Sequence, residues 1–295
     1  MIRRLSYEEA DFEKYSECLE KSAQKKYSAT KVFLDAAAGT SWDIIVAGDY
    51  EAVMPVPFVI KFGLKFVIHP KLCQQLGVFS QCDDPAQNEL FKDFLVENYR
   101  VKYYAFNDKN IFKSPMAERK NFVILPDSYE NVFKKYSPKR KRKLRLNPGV
   151  AEFARIQEIS LEEGLPFIAE NFKGAPKKSD IAEFIKTFKM LNSTGNLIVF
   201  GFFFKEQLTN ITVLYRDLGS VALLGTFNDP AYIKNNGASV LVDYGIKSFV
   251  DSHIFDFEGG NIPEVEEFFR GFRPIMKPYP YVQRSNSELL KQFFV

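Results

Sequence analysis

Histidine and cysteine are scarce in this 295-residue chain. Only His69 and His253 are present, and the three cysteines, Cys18, Cys73 and Cys82, form no CxxC pair. So few imidazole and thiolate ligands make a metal site unexpected, and an odd number of widely spaced cysteines argues against a disulfide framework. Neither histidine accompanies a recognisable nucleophile motif, and the patterns GxGxxG, GxxxxGKS and GxSxG are missing. Long apolar runs are lacking too. The longest, "LIVFGFFF" (Leu197 to Phe204), is far too short to span a bilayer, and the opening "MIRRLSYEEADFEKY" has no apolar segment after its arginines. A cytoplasmic protein with no membrane insertion is expected. The net charge of +3 is too small to steer a polyanion globally, so any such affinity must come from local clustering.

What the chain has in quantity is aromatic side chains. Its 30 phenylalanines predict a core packed largely with rings and exclude disordered and fibrous classes. Their arrangement follows one order twice. From Trp42, "WDIIVAGDYEAVMPVPFVIKFGLKFVIHP" reads as three strands broken at Gly48-Asp49 and at Lys61-Phe62-Gly63. A helix follows in "DDPAQNELFKDFLVENY", where Asp84 caps and Pro85 takes the first helical position, and then the strand "VKYYAFN". The second half repeats the order. Strands "NLIVFGFFF", "LTNITVLYR" and "SVALLGTFN" lead to the helix "GASVLVDYGIKSFVD" and the strand "HIFDFEG". The repetition is architectural, since the halves share no obvious residue identity.

Between the halves lies "YSPKRKRKLRLNPG", in which Ser137 can cap, Pro138 can open a helix and Asn147-Pro148-Gly149 must end it. The expected division is therefore an N-terminal domain over 1–136, a basic linker helix over 137–149 and a C-terminal domain over 150–295. The run Lys139 to Arg145 reads either as a solvated helix or as a polyanion contact.

The closing strand carries two carboxylates, Asp256 and Glu258, on the face opposite Phe255 and Phe257. The pair Gly259-Gly260 then allows a sharp turn or a close approach. Two readings stand for these carboxylates: structural groups closing the strand end, or acid–base groups at a site.

Meander, helix and strand, twice over, resemble the GNAT acyltransferase fold in tandem, and within it the Fem-type aminoacyl and peptidyl transferases. The stretches that carry the likeness are Pro70 to Gly77 ("PKLCQQLG"), the basic segment "YSPKRKRKLRLNPGV", and "FDFEGGNIPEVEEFFRGFRP", similar to a closing "DFEGS…FFxxFG" pattern. The likeness implies an α+β fold of two tandem GNAT-like domains, each a mixed, largely antiparallel sheet flanked by helices. In a GNAT unit the donor's pyrophosphate rests on backbone amides where the helix after the meander begins. Lys234, Asn235, Asn236, Gly237, Ala238 and Ser239 occupy that turn, which implies acyl-CoA as donor. The corresponding turn of the first half presents Asp83 and Asp84, which would repel phosphate. That half should shape the acceptor side.

Glu258 then becomes the candidate base toward an attacking amine, with Tyr215 and Tyr279 as candidate acids toward the leaving group. Candidate substrate-binding residues are Trp42, Gln74, Gln75, Asn228, Asp256, Arg142, Arg145 and Arg270. The acceptor would be a small-molecule or peptide amine, and tRNA is the alternative donor, contacted through Lys139–Arg145. The sequence departs from the Fem pattern where Phe269 replaces a lysine linked to aminoacyl transfer and Arg273 replaces a glycine. An acyltransferase is expected, with a CoA thioester slightly favoured. Its rivals are an aminoacyl-tRNA-dependent transferase and a non-catalytic GNAT-fold binding protein.

Overall fold

The computed structural model describes residues 1–173 and 177–291. Its chain forms two compact units: Met1–Lys120 together with the chain from Pro278 onward, and Asn121–Lys277.

In the first unit, the strands Ile2–Leu5, Trp42–Ala47, Ala52–Lys61 and Leu64–Val67 pair antiparallel in that order. Arg100–Val101 then adds parallel to Leu64–Val67. The last hairpin turns through two central residues, Phe62 and Gly63, that both have positive φ. Asp84 accepts from the Ala86 amide and Pro85 opens the helix Pro85–Asn98, as the sequence implies. A small separate sheet is formed by Tyr103–Ala105, Tyr279–Gln283 and Ala117–Arg119, with the strand from the end of the chain in the middle.

The second unit is built on a seven-stranded sheet. Its order is Ala154–Glu158, Leu197–Phe204, Gln207–Asp217, Ser220–Asn228, Ile254–Asp256, Phe122–Ile124 and Ile275–Met276. Every pairing is antiparallel except that of Ser220–Asn228 with Ile254–Asp256. Side chains alternate faces along the strands, so one set of apolar residues meets each flanking layer. Phe200, Phe202, Leu214, Val221 and Leu223 pack under Leu241, Val242 and Ile246 of the helix Gly237–Phe249. Val199 and Ile211 face the other way, toward Gly164 of the helix Leu161–Glu170.

The units do not divide around 137–149. Phe122–Ile124 is inserted between Ile254–Asp256 and Ile275–Met276, and the helix Pro138–Leu144 packs on the core of the second unit. The boundary lies at Lys120/Asn121, and a second crossing at Lys277/Pro278 returns the chain to the first unit. The physical reason is strand completion. The strands that flank the crossings have two to five residues and carry pairings that composition does not advertise.

Candidate active site

The site begins where two parallel strands part. Ser220–Asn228 and Ile254–Asp256 run in register only from Ser220/Ile254 to Ala222/Asp256. One residue later, the Phe257 amide donates to the Phe122 carbonyl (2.9 Å) in the other direction. Among the described residues no strand covers Leu223–Asn228 on that side. Leu224 is an extra residue between the paired Leu223 and Gly225, a bulge that twists the exposed edge further.

Asp256 fixes this opening. It is 3% exposed, and its Oδ1 accepts from Asn121 Nδ2 (2.9 Å) and from the Glu258 amide (3.0 Å), while Asn121 Oδ1 accepts from the Gly259 amide (3.0 Å). Asp256 therefore acts on the backbone and Asn121, the structural alternative for that residue. The loop it holds has positive φ at Glu258 (51°), Gly259 (152°) and Gly260 (137°). Gly260 is obligatory, because a Cβ there would lie 2.3 Å from the Phe122 ring. Glu258 has no such excuse. A residue with a Cβ in the left-handed region costs about 1–2 kcal/mol, and the Glu258 side chain is half-buried at the end of the opened pair.

On the helix side, Asp229 caps a 3-10 turn over Pro230–Asn235, and Asn236 (φ 58°) reverses the chain into the helix Gly237–Phe249. The Asn236 carbonyl takes the Ser239 and Val240 amides, and its side chain caps nothing. Among the described residues the Gly237 and Ala238 amides have no acceptor. They are the free donors that a helix N-terminus offers an anion.

Gly237 answers first to packing. A Cβ would stand 2.0 Å from Asn210 Oδ1 and 2.9 Å from the Phe202 ring, so the close approach the structure demands is helix to strand. Asn210 in turn donates to Asn228 Oδ1 (2.8 Å), which ties the exposed strand end to the turn. Lys234 is exposed, and Asn235 is half-buried with an Nδ2 that has no partner among the described residues. Ser239 is buried and accepts from the Arg140 guanidinium.

Arg140 was hidden inside the basic run. It is 4% exposed, donates also to the Phe268 carbonyl (2.7 Å), and lies 4.3 Å and 4.2 Å from the Phe268 and Phe272 ring centres. Burial lowers its pKa to about 10, opposed by Tyr136 and Asp243, so it stays a cation beside the start of the helix Gly237–Phe249. The sequence held a signal for it. Tyr136, Arg140 and Leu144 recur at four-residue spacing, and all three face the same core. Asn121 and Asn210 carried no comparable signal, since one is a single amide just before the strand Phe122–Ile124 and the other a single amide within the strand Gln207–Asp217.

The other candidates belong to other elements. Tyr215 shares the pairing row of Ala222 and Asp256, but it is fully buried. Burial raises its pKa, so the phenol keeps its proton. Tyr279 is a buried member of the first unit's small sheet, bonded to Tyr103, and belongs to a different unit from Glu258. Trp42 is a core residue among Tyr7, Phe12 and Tyr15, with its indole donating to Asp35. Gln75 is fully buried, bonded to Gln74 and to the Asp108 amide, while Gln74 is half-buried.

Arg142 and Arg145 are exposed, with no ion pair among the described residues. Arg270 is committed to Glu266 (2.7 Å) and to the Phe122 ring. Asp83 accepts from Gln24, Asn88, Asn110 and the Ile111 amide, so the first unit's turn is filled by its own carboxylate. Among the described residues no cluster of three His, Cys, Asp or Glu is placed to hold a metal, and no helix is long and apolar enough to cross a membrane.

A meander with a bulged last strand, an opened parallel pair and a helix with free amides between them define a GNAT-type unit, and the chain as a whole is a mixed tandem GNAT-like fold. FemX is similar over 98% of this chain and 99% of its own, with a TM-score of 0.66 and 9% identity. A tandem GNAT protein from the clavulanic acid biosynthesis pathway aligns over 95% and 97% of the two chains (TM-score 0.53, 8% identity). The C-terminal domain of a lysylphosphatidylglycerol synthetase from Agrobacterium fabrum aligns over 94% and 95% (TM-score 0.51, 10% identity). The likeness is one of fold, of a GNAT-type and Fem-like kind. No protein-family model and no curated protein matches the sequence.

Proposed function

We propose that the second unit is the catalytic half of an N-acyltransferase that moves an acyl group from a CoA thioester to a small-molecule or peptide amine. The observation that carries this reading is the pair of unpartnered amides, Gly237 and Ala238, at a helix N-terminus beside the uncovered strand edge Leu223–Asn228. Amides and helix dipole favour a pyrophosphate there, and the cationic Arg140, bonded to Ser239, adds to that field. The thioester chain would run along the uncovered edge, whose backbone groups are free to position its carbonyl. The amine nitrogen attacks that carbonyl, Glu258 accepts the proton it sheds, the C–S bond breaks to leave the amide and a thiolate, and a proton from solvent completes the thiol. The first unit binds no second donor in this reading, because Asp83 and Asp84 occupy its equivalent turn.

A CoA donor is favoured over aminoacyl-tRNA because three of the six cations in the basic run are committed to the protein itself. Arg140 is buried, Lys139 pairs with Glu267 at 2.7 Å, and Lys141 donates to the Lys134 carbonyl. Of the remaining cations in the run, Arg142 and Arg145 are exposed and Lys143 is half-buried, and none of the three is in an ion pair among the described residues.

Thermal-shift titration tests both donors, since a ligand at a hundred times its dissociation constant adds about 2.7 kcal/mol of stability. CoA and acetyl-CoA should raise the melting temperature. Ala238→Glu should keep the fold, because a carboxylate in the first turn suits the helix dipole, and should cancel the CoA shift by repelling phosphate. A chain that ignores CoA, or an Ala238→Glu variant that responds as the parent does, removes this assignment. A shift with charged tRNA alone transfers it to the aminoacyl donor.

A further inference from the structure

The hairpin between Ala52–Lys61 and Leu64–Val67 turns through Phe62 (φ 53°) and Gly63 (φ 73°). Such a turn, with two successive left-handed residues, favours Asn or Asp before the glycine, and a bulky ring in that place is a conformational outlier. Burial does not compensate, for Phe62 is 97% exposed. The other left-handed two-residue turns differ: Lys205-Glu206 is polar, and Leu218 of Leu218-Gly219 is half-buried. Neither turn geometry nor packing accounts for the ring at this tip.

The rest of the arm is equally unsuited to water. Ile60 is 64% and Val59 40% exposed, and they point to opposite faces, since Val59 pairs with Phe66 and Ile60 with Lys65. Between Glu51 and Asp83 the sequence has no carboxylate side chain, while Lys61 stands exposed beside the tip. At the root, Arg4 (2.8 Å) and Lys65 (2.9 Å) both pair with the single buried carboxylate of Asp43, leaving one positive charge in excess.

We infer that this hairpin is a lipid-contacting finger. Phe62, Ile60 and Val59 enter the boundary between headgroups and acyl chains of an anionic membrane, and Lys61 stays at the level of the phosphates. A fluid apolar medium surrounds the tip and both faces at once, whereas a protein groove would cover one face. The contact is peripheral and reversible, because a short apolar tip and a few cations supply two weak signals that act together.

Flotation with vesicles of phosphatidylcholine, with and without phosphatidylglycerol, provides the test. The parent chain should float with the anionic vesicles and lose that association as salt is raised. Phe62→Asn supplies the residue the turn prefers, so its melting temperature should hold or rise while vesicle partitioning falls roughly tenfold or more. Phe62→Trp supplies a reporter. Trp42, the one tryptophan of the chain, is fully buried, so a blue shift of the added indole on vesicle addition reads insertion of the tip itself. A parent chain that stays with the protein fraction overturns the inference, as it would if the tip served a protein partner. Undiminished flotation of Phe62→Asn, or a Phe62→Trp emission that anionic vesicles leave unchanged, overturns it equally.

Discussion

Glu258 and Asp256 are two residues apart, yet their environments give them separate work. Asp256 has its oxygen committed to Asn121 and to backbone, and removing it leaves buried donors unpaired at about 1–3 kcal/mol each. Asp256→Ala should therefore melt several degrees lower by calorimetry. Glu258 sits at a φ that glycine adopts without strain. Glu258→Gly should hold or raise the melting temperature while turnover falls about a hundredfold to ten-thousandfold, the usual loss when a positioned base is removed. Retained turnover with unchanged stability would return Glu258 to a purely structural role.

His69 makes a third case. Its Nε2 faces the Ala105 amide and its Nδ1 the Cys73 carbonyl, and burial lowers its pKa from 6.5 to about 4. The folded chain keeps the ring neutral while the unfolded chain takes up a proton. The resulting stability is complete above pH 6.5 and is lost progressively as pH falls from there through about 4. Denaturant midpoints measured across that window should fall with pH, and His69→Gln should flatten the fall.

The elements show why some features could be read ahead and others not. Alternation and turn chemistry exposed both meanders, and the Asp84 and Ser137 caps and the helix after "KNNG" stand where the residues imply. Local signals of that kind need no partner. Phe122–Ile124 has only three residues, and its place depends on Phe255 and Ile275 far along the chain, so no local pattern announced it. Gly237 was legible as a glycine that something approaches closely, but which group approaches is a tertiary fact, and Asn210 is that group. Gly237→Ala should accordingly destabilise the fold by roughly 1–3 kcal/mol through overpacking, with a matching fall in melting temperature in the absence of donor. An unperturbed melting curve with weakened CoA binding would instead mean that a bound phosphate, not Asn210, requires the glycine. Tyr215 and Trp42 show a related point: a hydroxyl or an indole on an apolar strand is equally at home in a core, and both are fully buried, Trp42 with its indole donating to Asp35.

At the scale of the whole molecule the chain crosses between its units twice, and this fixes which pieces can fold alone. A fragment over 150–295 follows the obvious linker but lacks Phe122, Ile124, Val132 and Tyr136, all buried in the second unit's core. Each such side chain contributes roughly 1.5–3 kcal/mol on burial, so together they amount to much of the 5–15 kcal/mol that holds a typical domain folded. That fragment also carries Tyr279–Gln283, a strand whose partners Tyr103–Ala105 and Ala117–Arg119 it leaves behind. A fragment over 121–277 keeps the full seven-stranded sheet, Arg140 and the donor turn. It should melt cooperatively by circular dichroism, whereas 150–295 should show a broad, non-cooperative loss of signal. Because both strand edges and the free amides of the proposed donor site lie within 121–277, CoA should shift its melting temperature as it shifts that of the entire chain. Equal cooperativity in the two fragments would contradict the strand exchange, and a cooperative 121–277 fragment that no longer responds to CoA would mean that donor binding needs residues of the first unit.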